Sequence, residues 1–200
     1  MVAALIILGG YLLGSMPFGY WIVRWLKGTD IRKLGSGNIG ATNVWRVYGW
    51  KLGLPIVLLD VAKGFVPALL GLVYGGQLVG VLAGAAAMLG HWRPLYLRFA
   101  KGGKTVATAG GVTFALAPRA AACCLVLWIV IFLVTRYASV ASMLTAILLP
   151  VFAWLLGAGW PFVTFAAIAA VAVLLLHKAN IKRLFAGTES RFQFRRPVRA

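Results

Sequence analysis

Residues 34–46, LGSGNIGATNVWR, place Gly35, Gly37 and Gly40 among Ser36, Asn38, Ala41, Thr42 and Asn43, and close on Arg46. Glycine lets successive backbone N–H groups turn inward with no Cβ in the way. Such a concavity, closed by hydroxyl, amide and guanidinium donors, suits an anion such as phosphate. A flexible polar loop between two membrane helices uses the same residue types, so the segment alone leaves both readings open.

A second segment, residues 91–111, reads HWRPLYLRFAKGGKTVATAGG. Its GGKT is similar to a P-loop, but that motif requires glycine where Arg98 stands, which argues against nucleotide hydrolysis. What survives is a glycine-rich turn in which Gly103, Lys104 and Thr105 lead into an apolar stretch. If that stretch is helical from Thr105, its first N–H groups and its dipole favour a second anionic group beside Lys104. Two anion sites on one face suggest two phosphates.

Three further groups accompany them. In TRYASVAS, Ser139 and Ser142 stand three apart, a spacing that serves a shared pocket or simple helix capping. LLLHKANIKR sets His177 and Asn180 three apart with Lys178 between, as part of a site or as a boundary anchor. Asp60 and Lys63 share a helix face and are expected to pair inside the bundle, as a purely structural ion pair, as a brace for the glycine loop or as participants in the chemistry. Glu189 is the only acid after Asp60 and is expected to meet an arginine.

The elements that must carry these groups are membrane helices. The chain is 62% hydrophobic and only 12% charged, against about a quarter charged in soluble domains. A ruler of about 17 to 25 apolar residues per crossing divides it into about seven spans, at residues 2–26, 52–74, 78–92, 105–117, 120–135, 140–156 and 161–176. Pro17 is expected to bend the first, Gly75-Gly76-Gln77 to turn the chain between the second and third, and the fourth is short for a full crossing. The whole, residues 1–200, reads as one all-α polytopic bundle with loops too short for a separate soluble module.

Charge sets the expected orientation. Lys27, Arg32, Lys33, Arg46 and Lys51, then Arg93, Arg98, Lys101 and Lys104, then Arg136, and finally a basic tail ending in Arg195, Arg196 and Arg199 all fall on one side. The opposite connections hold almost nothing except Arg119. By the positive-inside rule the N-terminus is outside, the C-terminus is cytoplasmic, and every polar motif faces the cytoplasm. The N-terminal stretch lacks a basic n-region and reads as a retained span.

A formal charge of +17 asks for anionic counterparts, lipid headgroups or a phosphorylated substrate. Nucleic acid is excluded because the basic residues lie in short segments between spans, with no room for a reading domain. Cys123 and Cys124 are adjacent in an apolar run and read as small buried hydrophobes. His91 and His177 lack ligand-spaced partners, so no metal site is expected.

Taken in order, GSGNIGATNVWR, LDVAKG, GHWRPLYLRFAKGGKTVATAGG and HKANIKRLFAGTE resemble the bacterial acyl-phosphate:glycerol-3-phosphate acyltransferases over nearly the entire chain. The resemblance implies transfer of a fatty acyl group from acyl phosphate to the 1-hydroxyl of sn-glycerol 3-phosphate, giving lysophosphatidic acid and phosphate. This would be the first committed step of phospholipid synthesis at the cytoplasmic membrane. It implies that Ser36, Gly37, Asn38, Gly40, Ala41, Thr42 and Asn43 receive the acyl-phosphate group, and that Arg46 and Lys104, flanked by Gly103 and Thr105, neutralise phosphates. His177, Asn180 and Ser142 would position glycerol 3-phosphate, supported by Lys178 and Glu189, and the enzyme that makes acyl phosphate becomes a candidate partner.

An acyl phosphate is already activated, so neither a covalent nucleophile, a metal nor another cofactor is required. The His-x-x-x-x-Asp pattern of soluble-type acyltransferases is missing from HWRPLY and HKANIK alike. Two acceptors for the hydroxyl proton stay open, His177 and an oxygen of a bound phosphate, and the scarcity of acids favours the phosphate. The competing classes are an anion or phospholipid carrier, which glycine-broken helices and an intramembrane charge pair also describe, and a basic scaffold without chemistry.

Overall fold

The computed structural model describes residues 1–193, and all its regular structure is helical. Arg195, Arg196 and Arg199 of the basic tail lie outside the described residues. The first apolar stretch breaks at Ser15-Met16-Pro17 into α1 (Val2–Gly14) and α2 (Phe18–Lys27). Pro17 has no N–H to give the ladder, and its ring excludes a continuous helix. Lys63 Nζ donates to the Met16 carbonyl at 2.9 Å, which satisfies one backbone group that the break exposes.

After a loop comes α3 (Ala41–Tyr48), then α4 (Trp50–Trp92). The latter is two arms rather than one rod, because Gly76 has φ 74° and ψ −177° and reverses the chain. The arms meet where Gly71 lies against Gly80 without room for a Cβ on either. Gly10 and Gly14 let α1 approach Ala83 and Ala87 of the second arm equally closely. Small residues take this role in lipid because close van der Waals packing replaces the hydrophobic drive between helices.

Four helices follow: α5 (Val106–Leu116), α6 (Pro118–Thr135), α7 (Ala138–Leu155) and α8 (Trp160–Leu176). A short α9 (Lys178–Phe185) then bends away from α8 by 56°. Pro118 starts α6 at its first turn, so Arg119 belongs to the helix rather than to a connection. At 11 residues, α5 is about 16 Å long, well short of the hydrocarbon thickness. It enters from a left-handed Thr105, φ 64°, so the helix begins one residue later than its sequence reads.

By length and composition four segments can cross a membrane, α1–α2, α4, α6 and α7, or five if the bent pair α8–α9 counts as one, with α4 entering that count once despite its two arms. Two apolar cores hold the bundle. One joins Ala68, Val112, Leu116, Phe162, Phe165 and their neighbours around α5 and α8. The other packs Val23, Ile31, Ile39, Val44 and Ile56, and fixes the first loop on α4. Both polar loops are thereby set on rigid elements at one end of the bundle.

Candidate active site

The first loop is built around one side chain. Asn43, 2% exposed, accepts from the Ser36 N–H at 2.8 Å and donates to the carbonyls of Asn38 at 2.9 Å and Leu34 at 3.0 Å. Asn38 Oδ1 in turn accepts from the Gly40 N–H at 2.7 Å. Gly35 and Gly37 have φ of 56° and 70°, and a Cβ on Gly35 would strike the Asn43 amide. The loop is therefore a fixed form, unlike the flexible connection that its residue types also allow. It leads directly into α3, whose N-terminus has no side-chain cap and so suits an anion.

The second loop leaves α4, makes a closed excursion and returns. The Gly102 N–H donates to the Trp92 carbonyl at 2.9 Å, and that of Gly103 to His91 at 3.0 Å. These two bonds deliver Lys104 and Thr105 to the start of α5. Thr105 is 3% exposed and its Oγ1 has no partner. A β-branched residue in the left-handed region is uncommon and concentrates at functional sites.

Between the loops, α7 and the α8–α9 bend lies a cavity of about 360 Å³. Its polar end is lined by Ser36, Asn38, Gly40, Ala41, Thr42, Asn43 and Arg46 from the first loop and α3, and by Lys104 and Thr105 from the second loop. Ser139, Ser142, His177, Asn180 and Glu189 complete it, with Asp60 and His91 at the base. Most of the remaining wall is apolar: Ala109, Phe114, Cys124, Leu125, Leu149 and Val173 continue it down into the bundle, with Thr113 and Thr145 among them. Cys124 thus faces the cavity while Cys123 is exposed.

A hydrogen-bonded string crosses the polar end. Lys104 Nζ donates to Asn180 Oδ1. Asn180 Nδ2 donates to Glu189 Oε1 at 2.6 Å, which also accepts from Ser139 Oγ at 2.8 Å, and Arg183 Nε donates to Glu189 Oε2 at 2.7 Å. Burial disfavours the Glu189 carboxylate, but the bonds from Asn180, Ser139 and Arg183 together hold its pKa below the usual range. Burial brings the Lys104 pKa down to about 8, against the pull of Glu189 and with help from Arg183, Lys101 and Arg46. Arg46 sends one N–H toward the Ser190 carbonyl at 3.5 Å, while its Nε is buried without a partner. Unpartnered donors on two cations beside two uncapped helix starts are what an anion would complete.

His177, at the bend, is 3% exposed. Its Nδ1 lies 2.8 Å from the Val173 carbonyl; a carbonyl only accepts, so the proton is on Nδ1 and the neutral ring keeps its lone pair on Nε2. Ser142 lies inside α7, donating to Ala138 at 2.7 Å and accepting from Trp128 Nε1 at 3.1 Å. Ser139 is in the same helix, whose N-cap is Tyr137, so neither serine is the cap that their spacing also allowed.

Asp60 and Lys63 do pair, at 2.7 Å and with side chains 3% and 1% exposed. Of the residues expected to touch substrate, Gly37, Gly103 and Lys178 are absent from the cavity wall, and Lys178 is exposed. The sequence reading missed His91 and Trp128. His91 stands 31 residues from Asp60 in a different arm of α4, and only the reversal at Gly76 brings them together. Trp128 sits in an apolar stretch of α6 beside Phe132, and its indole N–H was the signal available there.

A family model described as glycerol-3-phosphate acyltransferase matches residues 4–187. The glycerol-3-phosphate acyltransferase of Desulforudis audaxviator is 46% identical over 98% of each chain. That of Aquifex aeolicus is 45% identical over 96% of this chain and 100% of its own. Two crystal structures of PlsY (YgiH), an integral membrane glycerol 3-phosphate acyltransferase, superpose over 96% of both chains. The glycerol 3-phosphate form has TM-score 0.92 at 41% identity, and the lysophosphatidic acid form 0.89 at 40%.

Proposed function

The chain belongs to the glycerol-3-phosphate acyltransferase family, and from that premise we propose that it transfers a fatty acyl group from acyl phosphate to the 1-hydroxyl of sn-glycerol 3-phosphate. The protein is an integral membrane acyltransferase. The observation that carries the finer reading is the cavity itself. One end presents Arg46, Lys104 and two helix starts, and the other is hydrocarbon-lined, so it suits two phosphates and one acyl tail.

In this reading the acyl phosphate rests on the first loop and the start of α3, with Arg46 neutralising it. Glycerol 3-phosphate takes the start of α5, with Lys104 and Asn180 on its phosphate and His177 Nε2 accepting a bond from its 2-hydroxyl, which leaves the 1-hydroxyl proton free for a phosphate oxygen. The hydroxyl oxygen attacks the acyl carbon, the new C–O bond forms as the bond to phosphate breaks, and inorganic phosphate leaves. A phosphate oxygen takes the hydroxyl proton. The chain contributes orientation and charge stabilisation; the leaving group is activated already.

The seven-span topology rests on the lengths of the apolar stretches, and an external N-terminus and a cytoplasmic face for the site rest on the distribution of Lys and Arg. A reporter fused after Ala200 is expected in the cytoplasm, and an external signal would reverse the orientation. The donor is tested with purified protein in detergent, given glycerol 3-phosphate with acyl phosphate, acyl-CoA or acyl-carrier protein in turn. Lysophosphatidic acid from acyl phosphate alone, abolished in Arg46→Ala and Lys104→Ala, supports the assignment. Product from a thioester instead overturns the donor.

A further inference from the structure

Glycine at position 103 reads in sequence as part of a phosphate cradle, but its surroundings give it another cause. Gly103 is buried and absent from the cavity wall, and a Cβ on it would fall on Nε2, Cε1 and Cδ2 of the His91 ring. The Gly103 N–H donates to the carbonyl of the same histidine at 3.0 Å. Ring and backbone of His91 therefore grip the loop immediately before Lys104.

The ring is held from behind. His91 is 4% exposed, and its Nδ1 lies 3.7 Å from Asp60 Oδ1, too far for a hydrogen bond but close enough for a charge–dipole contact. Asp60 pairs with Lys63 at 2.7 Å, and Lys63 reaches the Met16 carbonyl at 2.9 Å. This chain joins the break in the first span, both arms of α4 and the second loop. A buried ion pair adds little net stability over packed hydrocarbon, so its position directly beneath the loop asks for a positional role.

We infer that His91 is a positioning residue that sets Lys104 and the start of α5 against the phosphate of glycerol 3-phosphate, braced by Asp60 and Lys63. The inference rests on the phosphate site proposed above. His91 does not touch the reacting atoms; it acts through Gly103, whose lack of a side chain makes room for the imidazole.

A double-mutant cycle tests this. His91→Asn keeps an amide edge where Nδ1 stands and removes the Nε2–Cε1 half of the ring that a Gly103 side chain would meet. Gly103→Ala is expected to raise KM for glycerol 3-phosphate by about 10-fold or more with a smaller change in kcat. Combining it with His91→Asn is expected to bring KM back to within about 3-fold of His91→Asn alone, a coupling that independent sites do not show. Multiplying defects, or a Gly103→Ala enzyme with unchanged KM, would overturn the inference. If Gly103→Ala fails to accumulate in membranes, His91→Asn alone decides: a raised KM at unchanged thermal midpoint supports it, and an unchanged KM refutes it. An inactive wild-type protein would instead count against the acyltransferase reading.

Discussion

Lys104 and Asn180 lie 76 residues apart and share a hydrogen bond at the mouth of the cavity. The lysine arrives on the loop before α5 and the asparagine on α9, so neither element alone contains the site. Through Asn180 the ammonium is linked to Glu189, Ser139 and Arg183. A cation that is half-buried and only partly neutralised in this way is poised for an incoming phosphate.

The first prediction concerns pH. Burial, the largest influence, brings the Lys104 pKa down to about 8 in the free protein. Below that value the side chain is charged and above it the charge is lost. The kcat/KM for glycerol 3-phosphate, which reports free-enzyme ionisations, should therefore fall as pH rises through about 8. Lys104→Arg keeps the charge at every working pH, so any activity it retains should lack this basic limb. A pH series on both proteins checks this, and an identical limb in the two would assign it to another group.

The second concerns Asn43, whose amide organises the first loop from the cavity wall. Asn43→Ala leaves the Ser36 N–H and the Asn38 carbonyl without their partner and takes one of two donors from the Leu34 carbonyl, which keeps the Gly37 N–H. Each unpartnered buried group costs roughly 1–3 kcal/mol where water cannot replace it. The thermal midpoint in detergent should drop by several degrees and activity should fall with it. Asn43→Asp, which keeps one acceptor but loses both donors, should be nearly as damaging. Full stability in either variant would show that the loop does not depend on this residue.

Much of this arrangement was legible in the sequence, and the gaps have physical reasons. The Asp60–Lys63 pair follows from helical spacing, and the break at Pro17 follows from a missing N–H. The cavity-lining positions of Arg46, Lys104, His177, Asn180 and Glu189 belong to motifs that spacing could find. What spacing cannot supply is contact across elements. The meeting of His91 with Asp60 depends on a reversal at Gly76, and Trp128 reaches Ser142 only because α6 packs on α7. The same limit applies to Gly103: composition shows a glycine, but only the fold shows that a histidine ring stands where its side chain would be.

Thr105 gives a third prediction, in which stability and activity separate. Its φ of 64° is a region that glycine enters freely and a β-branched residue does not. Thr105→Gly should therefore keep stability within about 1 kcal/mol of wild type, backbone relief offsetting the extra freedom of the unfolded chain. The buried, unpartnered hydroxyl is lost at the same time, so KM for glycerol 3-phosphate should rise. Thermal denaturation and steady-state kinetics on one preparation test both parts. An unchanged KM would remove Thr105 from the phosphate site.

The fourth separates the two acceptors for the hydroxyl proton. With Nδ1 donating to Val173, His177 offers Nε2 as an acceptor, which serves as a base if it meets the 1-hydroxyl proton and as an orienting group if it meets the neighbouring 2-hydroxyl. If a phosphate oxygen takes the proton, the histidine only aims the hydroxyl. His177→Ala should then cost less than the roughly 100- to 10,000-fold typical of a lost general base. The pH profile is the sharper discriminator. A phosphate acceptor must be dianionic, and phosphate monoesters ionise near pH 6, so the acidic limb should persist in the variant. Disappearance of that limb in His177→Ala, together with a loss in the upper part of that range, would make His177 the base and return the phosphate to a purely binding role.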